Sequence, residues 1–223
     1  DLTSQVFQNA NDRALGDIFQ DISFAGDQTF LVVNNSKKVE VVDSKNFESV
    51  GLITGVSYPR QFEQVTSGKG YLTNGNSSSG EAGKIYIIDL ATLEISDSIS
   101  VGRGPESMVV TDNNVFVTNS GGYSKDSTVF VIDKNTDNII DTIEVGHIPT
   151  DIAIDANGDI WVLCKGLSGY QTGGPTNSKL AKINASDFST TFFDIGKITS
   201  YGNYLMSMDK NQENVFYTGP DGI

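Results

Sequence analysis

Cysteine, histidine and tryptophan each occur once in this chain of 223 residues, and each scarcity removes a class of chemistry. The single Cys164 excludes an intrachain disulfide and any Cys-based zinc knuckle, while leaving the compartment open. The single His147 makes a three-His zinc site impossible, and no G-x-S-x-G elbow accompanies it, so a nucleophilic triad is not expected. The lone Trp161 is too little for the tryptophan-rich docking of a quinone cofactor; no cofactor is expected. No apolar run reaches the roughly 18 residues of a membrane-spanning helix. The opening DLTSQVFQNAND lacks a basic n-region and an apolar h-region and does not read as a signal peptide. Basic residues are also few: 15 Lys and Arg against 28 Asp and Glu give a formal charge of −13. Such a chain is a poor partner for a nucleic-acid backbone, which is held by clustered cations.

What is present is turn chemistry. Twenty-three glycines, with Asn, Asp and Ser, separate short runs of β-branched and aromatic residues, as a turn-rich all-β protein requires. Val115 to Val162 holds four such runs, and the unit recurs. An Asp ends the third run of each unit at Asp43, Asp89 and Asp133, and Pro59, Pro105 and Pro149 each follow 16 residues later. A third anchor, the end of the second run, is read at Asn34, Asn74, Asn119, Cys164 and Gly219, with Asn184 as the weaker fourth equivalent of the Asp. Nearly all length variation falls between the second and third runs.

A period of 40 to 50 residues with four strands per unit marks the blade of a β-propeller, and insertions in one connection map to one face. Blades are expected at roughly 17–53, 58–101, 104–145 and 149–195, with a partial unit over 200–223 and residues 1–10 as the last strand of a preceding blade (Ser4–Phe7). The strand 2–3 loops and the links from strand 4 to the next blade should share that face. The prolines fit a structural role, setting φ before the innermost strand. A missing third strand in the last unit suggests a fragment of a longer ring.

The segments VFVTN (115–119), STVFVID (127–133), NIIDTIEVG (138–146) and PTDIAIDANGDIWV (149–162) closely resemble the YVTN-type propeller repeat, and LVVNN (31–35) and YLTNG (71–75) repeat it. More narrowly, residues 6–43 look like the opening of YncE-like surface propellers of Bacteroidota. That resemblance implies a seven-bladed ring, a lipid anchor outside this chain as the only membrane attachment, and a place on the outer-membrane surface. Some members of that group capture cobalamin over a transporter barrel, so the resemblance also implies a corrinoid ligand and an outer-membrane transporter or complex as partner.

Asp133 to Glu144 matches an EF-hand loop at several positions, but strands flank it and the equivalent loops lack its carboxylates, so a hairpin turn explains it without calcium. Carboxylate catalysis needs two facing acids; Glu63, Glu81 and Glu106 are present, and no spacing singles out a pair. The expectation is therefore a non-catalytic binding protein whose loop face gathers Tyr58, Arg60, Arg103, Glu106, Asn119, Tyr123, His147, Lys165, Tyr170 and Gln171, aromatic faces beside hydrogen-bonding tips. The glycine-rich loops Asn76–Gly83 and Gly166–Gly174 have the composition either to close on a ligand or to be simply mobile.

Overall fold

The second strand of each unit is apolar on both faces, and burial follows: QTFLVV, KGYLTN and NVFVTN are each buried at five of six positions. Strands of this kind need cover on both sides. The computed structural model, which describes residues 5–75, 81–171, 173–197 and 205–218, supplies it by stacking antiparallel sheets face to face as propeller blades.

Blade 1 comprises β1 (Phe19–Ala25), β2 (Gln28–Val33), β3 (Lys38–Asp43) and β4 (Ser49–Ile53). Blade 2 comprises β5 (Pro59–Thr66), β6 (Lys69–Asn74), β7 (Gly83–Asp89) and β8 (Glu94–Val101). Blade 3 comprises β9 (Pro105–Val110), β10 (Asn114–Asn119), β11 (Thr128–Asp133) and β12 (Ile139–Glu144). Blade 4 comprises β13 (Pro149–Ile154), β14 (Ile160–Cys164), β15 (Asn177–Ile183) and β16 (Thr190–Lys197). Each is a four-stranded meander in chain order, and β17 (Met206–Met208) pairs with β18 (Val215–Tyr217) beside blade 4. The first strands β1, β5, β9, β13 and β17 neighbour one another and form the inner wall.

The core lies in the seams between blades. Phe30 of blade 1 stacks on Phe62 of blade 2 with centroids 4.0 Å apart. Val65 and Tyr71 of blade 2 cluster with Met108 and Val115 of blade 3, and Phe116 of blade 3 with Ile152 and Val162 of blade 4. Pro59, Pro105 and Pro149 open the inner strands and are buried.

Inner strands do not pair with each other, so their outer backbone groups need other partners. Side chains of the preceding blade supply them. Asp21 Oδ2 accepts from Phe62 N (3.2 Å), Gln61 Oε1 from Met108 N (2.6 Å) and Asp151 Oδ2 from Met206 N (2.8 Å). Asn34 Nδ2 donates to Pro59 O, Thr73 Oγ1 to Glu106 O and Ser107 Oγ to Thr150 O.

Two expectations are corrected. Residues 1–4 lie outside the described residues, but Val6–Asn11 form a short helix, α1, rather than a strand. Its Phe7 is buried against Leu31, Val42 and Phe47, and Arg13 just beyond it pairs with the buried Glu40 of β3. Helix formation there places Phe7 under the β3–β4 turn, a slot that Phe30, Tyr71 and Phe116 fill at the other seams. The second correction is one residue of register. Pro59, Pro105 and Pro149 pair with Asn74, Asn119 and Cys164, and Phe19 pairs with Val33, so Val33 and not Asn34 holds the anchor slot of blade 1. The Asn-Asn dipeptide after Val33 hides that slip from a pattern search. The anchor at Gly219 lies outside the described residues.

Candidate functional site: the loop face

Strand 2–3 loops and the links between blades lie on one face and are hydrogen-bonded together. At blade 3, Ser120 N donates to Gly104 O and Gly121 N to Arg103 O, both at 2.8 Å. Gly104 has φ +57°, and a Cβ there would stand 2.2 Å from Gly122 N, so link and loop touch backbone to backbone. The next link joins the same network: Ile148 N donates to Asp126 O (2.9 Å) and Gly166 N to His147 O (2.8 Å). Ile148 occupies the slot of Gly104 with φ +57°, an unfavourable backbone for a β-branched residue. The blade 4 loop closes back on the blade 3 loop, where a Cβ on Gly173 would lie 3.7 Å from Lys125 Nζ.

On this base the predicted residues separate into three groups. Arg103, Tyr123, His147, Lys165 and Tyr170 all lie on the links and strand 2–3 loops of blades 3 and 4, on the same face. Tyr170 and Tyr123 are 88% and 81% exposed, the most exposed large apolar side chains among the described residues. Gln171 lies in the same loop but works inward, its Oε1 accepting from Ser168 N at 2.8 Å. Lys125 lies in the blade 3 loop with Tyr123, in the connection Asn119–Lys125 that the sequence marks as part of this surface, although it was not among the residues singled out as contacts.

The second group is the mouth of the inner wall. Arg60 Nε donates to Glu106 Oε1 at 2.8 Å and Nη1 to Gln20 Oε1 at 3.0 Å, linking the second residues of β5, β9 and β1. Tyr58 is half-buried beside them, its carbonyl accepting from Gly75 N. Asn119 forms the third group alone. It is fully buried, with Nδ2 3.2 Å from Thr128 Oγ1, so it supports the loop face from beneath and does not line it. Its counterpart Asn74 accepts from Ser57 N and Tyr58 N, which shows what this slot does for the link above it. Cys164 holds the same slot in blade 4, is buried, and burial pushes its thiol up to about 12, far from a reactive thiolate. In the blade 2 loop, residues 76–80 lie outside the described residues, as does residue 172 in that of blade 4.

Deeper on the inner wall, Glu63 accepts from Gln61 Nε2 at 2.9 Å. Burial, then the charge of Asp21 on the neighbouring blade, pushes its carboxyl up to about 7. Sequence reasoning named Glu63 but could not pair it with Asp21.

The EF-like segment turns on the opposite face, in the β11–β12 hairpin, and runs along β12 to Glu144 at the loop-face end. Asp133 Oδ1 accepts from the backbone N–H of Asn135 and Thr136, both at 2.9 Å, while Asp137 binds Lys69 Nζ and the Tyr71 hydroxyl of blade 2. Asp133 and Asp137 are thus committed to the turn and the seam, Glu144 accepts from Ser127 Oγ at the far end of β12, and among the described residues no cluster has the make-up of a metal site. A cleft of about 500 Å³ opens on the same hairpin side between blades 3 and 4, lined by turn residues including Asp112, Asn113, Asn157 and Ser186.

Stacked four-stranded meanders around a wall of first strands define the protein as a β-propeller. Within that class the chain belongs to the family described as a domain of unknown function, DUF5074, which it matches over residues 1–222. No curated protein matches. Among solved structures, it is similar to hydrazine synthase of Kuenenia stuttgartiensis, with TM-score 0.70 at 17% identity, covering 86% of this chain and 58% of that one. It is similar to the dihydro-heme d1 dehydrogenase NirN in complex with DHE, with TM-score 0.61 at 15% identity over 81% of this chain and 38% of that one. The WD40 β-propeller domain of Doa1 aligns with TM-score 0.64 at 14% identity over 90% of this chain and 60% of that one. The chain thus spans less than two thirds of each, and likenesses at these identities speak for the fold alone.

Proposed function

We propose that this propeller is a non-catalytic binding protein that engages its ligand on the loop face over blades 3 and 4. The observation that carries this is the pair of exposed tyrosines on two adjoining loops whose bases are tied by backbone hydrogen bonds. Large amphipathic rings held on a fixed base lose little entropy on contact and offer both an apolar face and a polar tip. The ligand we propose is a corrinoid such as cobalamin, captured at the bacterial cell surface for an outer-membrane transporter or complex, with a lipid anchor outside this chain as the membrane attachment. The resemblance over residues 6–43 supports that choice. Calorimetric titration with cyanocobalamin should release heat that is lost in the Tyr123→Ser/Tyr170→Ser variant; no heat and no thermal shift would remove the corrinoid.

A second reading, a carboxylate-dependent hydrolase, is favoured by one observation. Glu63 is a carboxyl poised near neutrality beside a second acid, Asp21, as a general acid requires. Hydrolysis of aryl glycosides that survives unchanged in Glu63→Gln would eliminate it.

A further inference from the structure

Charge is sorted between the two faces of the propeller. On the hairpin face, Asp43, Asp89, Asp133, Asp187 and Asp209 each accept backbone N–H groups within a turn. Hydrogen bonds hold all five below the usual carboxylate range, from the turn backbone at Asp43, Asp89 and Asp133 and chiefly from the Ser189 and Asn214 side chains at Asp187 and Asp209, so that face is acidic. The loop face of blades 3 and 4 differs. Arg103 and Lys125 are exposed at the link and loop tips, and Lys165 and Lys179 follow at the loop-face ends of β14 and β15. Three carboxylates share that rim, Asp126 half-buried and Glu144 and Asp194 exposed, each with hydrogen-bond donors of its own. Asp126 accepts from Arg103 N, Ser127 N and Thr128 N and Oγ1, Glu144 from Ser127 Oγ, and Asp194 from Asn177 Nδ2. In a chain of net charge −13 this rim therefore sets four cations, Arg103, Lys125, Lys165 and Lys179, against those three carboxylates, with Arg103, Lys125, Tyr123 and Tyr170 exposed.

We propose that the loop face of blades 3 and 4 docks an acidic polypeptide segment, with Arg103, Lys125 and Lys165 meeting its carboxylates and the two tyrosines covering its apolar side chains. The proposal rests on the loop face being the binding surface and adds the chemistry of the partner. A polypeptide fits because the cations and rings are spread along a rim built from two blades, and because exposed Tyr and Arg are the side chains on which protein interfaces concentrate their energy. Acidity fits because the hairpin face repels a carboxylate-rich partner and orients it toward the cationic rim.

The probe is a short fluorescent peptide alternating Glu and Leu, followed by anisotropy, with its Gln/Leu counterpart as control. The Glu/Leu peptide should bind, and the affinity should fall about tenfold from low to high salt. Binding should fall at least about tenfold in Arg103→Glu/Lys125→Glu and stay unchanged in Lys45→Glu/Lys210→Glu on the hairpin face. Thermal unfolding should be unaltered in both, with Arg103→Gln/Lys125→Gln as the milder variant if charge reversal disturbs the loop. Equal binding of the Gln/Leu peptide, undiminished binding in the Arg103/Lys125 variants, or no binding of the Glu/Leu peptide would each overturn the proposal. Cyanocobalamin heat lost on tyrosine substitution, without peptide binding, overturns the acidic partner and keeps the loop face; absence of both removes the loop face as well.

Discussion

Glu63 shows how one side chain couples the inner wall to pH. Its carboxyl is pushed up to about 7 from 4.5, so the native state holds a proton that the unfolded state releases. Between those values stability must fall as pH rises, and above about 7 the loss is complete. Glu63→Gln removes the ionisation, so above that pH the variant should be more stable than the parent by roughly 1–3 kcal/mol, with little difference in acid. Thermal unfolding across pH 5–8 checks this, and a parallel shift at every pH would refute it. Glu40 acts in the opposite sense: although burial opposes its charge, Arg13, Lys38 and Ser49 hold it down to about 2, so its contribution is lost only as pH falls below about 4.5. Of the two acids only Glu63 was singled out in the sequence. Their partners were not, because Asp21 and Arg13 reach them only through the stacking of blade on blade or arm on blade.

Among the elements, the 3–4 hairpin explains the most regular mark in the sequence. Asp43, Asp89 and Asp133, with Asn184 in blade 4, each take two backbone N–H groups of their own turn. Four residues on, Phe47, Leu93, Asp137 and Phe188 all adopt φ near +60°. Turn chemistry predicts Gly or Asn there, and three of the four are bulky apolar residues. Packing outweighs the backbone cost, since Phe188 meets Phe116 edge-on at 5.9 Å and Leu93 joins the cluster around Phe30. The repeated Asp was therefore legible as a spacing, and the turn's reach into the neighbouring blade was not. Asn184 predicts the outcome of substitution: Asp133→Asn should be nearly neutral, whereas Asp133→Ala should lower the midpoint of urea unfolding. Equal losses in the two would show that charge, not the acceptor, is what the turn needs.

For the whole molecule, the blade count and the sharing of one face by loops and links followed from anchor spacing, because a repeat imposes its geometry on every copy. The short helix at the start did not, since Ser-Gln-Val-Phe has the composition of a strand and only Phe7's slot under Phe47 selects otherwise. The two ends also differ in cover. Blade 1 leaves Ile22 and Phe24 exposed on the face where Phe62 and Met108 of later blades are buried, while β17 and β18 are three residues each and mostly part-exposed. Hydrogen exchange should follow that gradient, with amides of β17 and β18 exchanging well before those of β6 and β10. Uniform protection across all strands would contradict it.

The clips of the inner wall share a direction. Asp21, Asn34, Gln61, Thr73, Ser107 and Asp151 all reach forward, from an earlier blade to the backbone of a later one. The turn residues Leu93, Asp137 and Phe188 settle backward onto a blade already made. A chain emerging from the ribosome would therefore meet, at each new blade, a finished template carrying its own waiting acceptors and donors. The wiring favours growth of the propeller from its amino-terminal side, one blade at a time, in the order of synthesis.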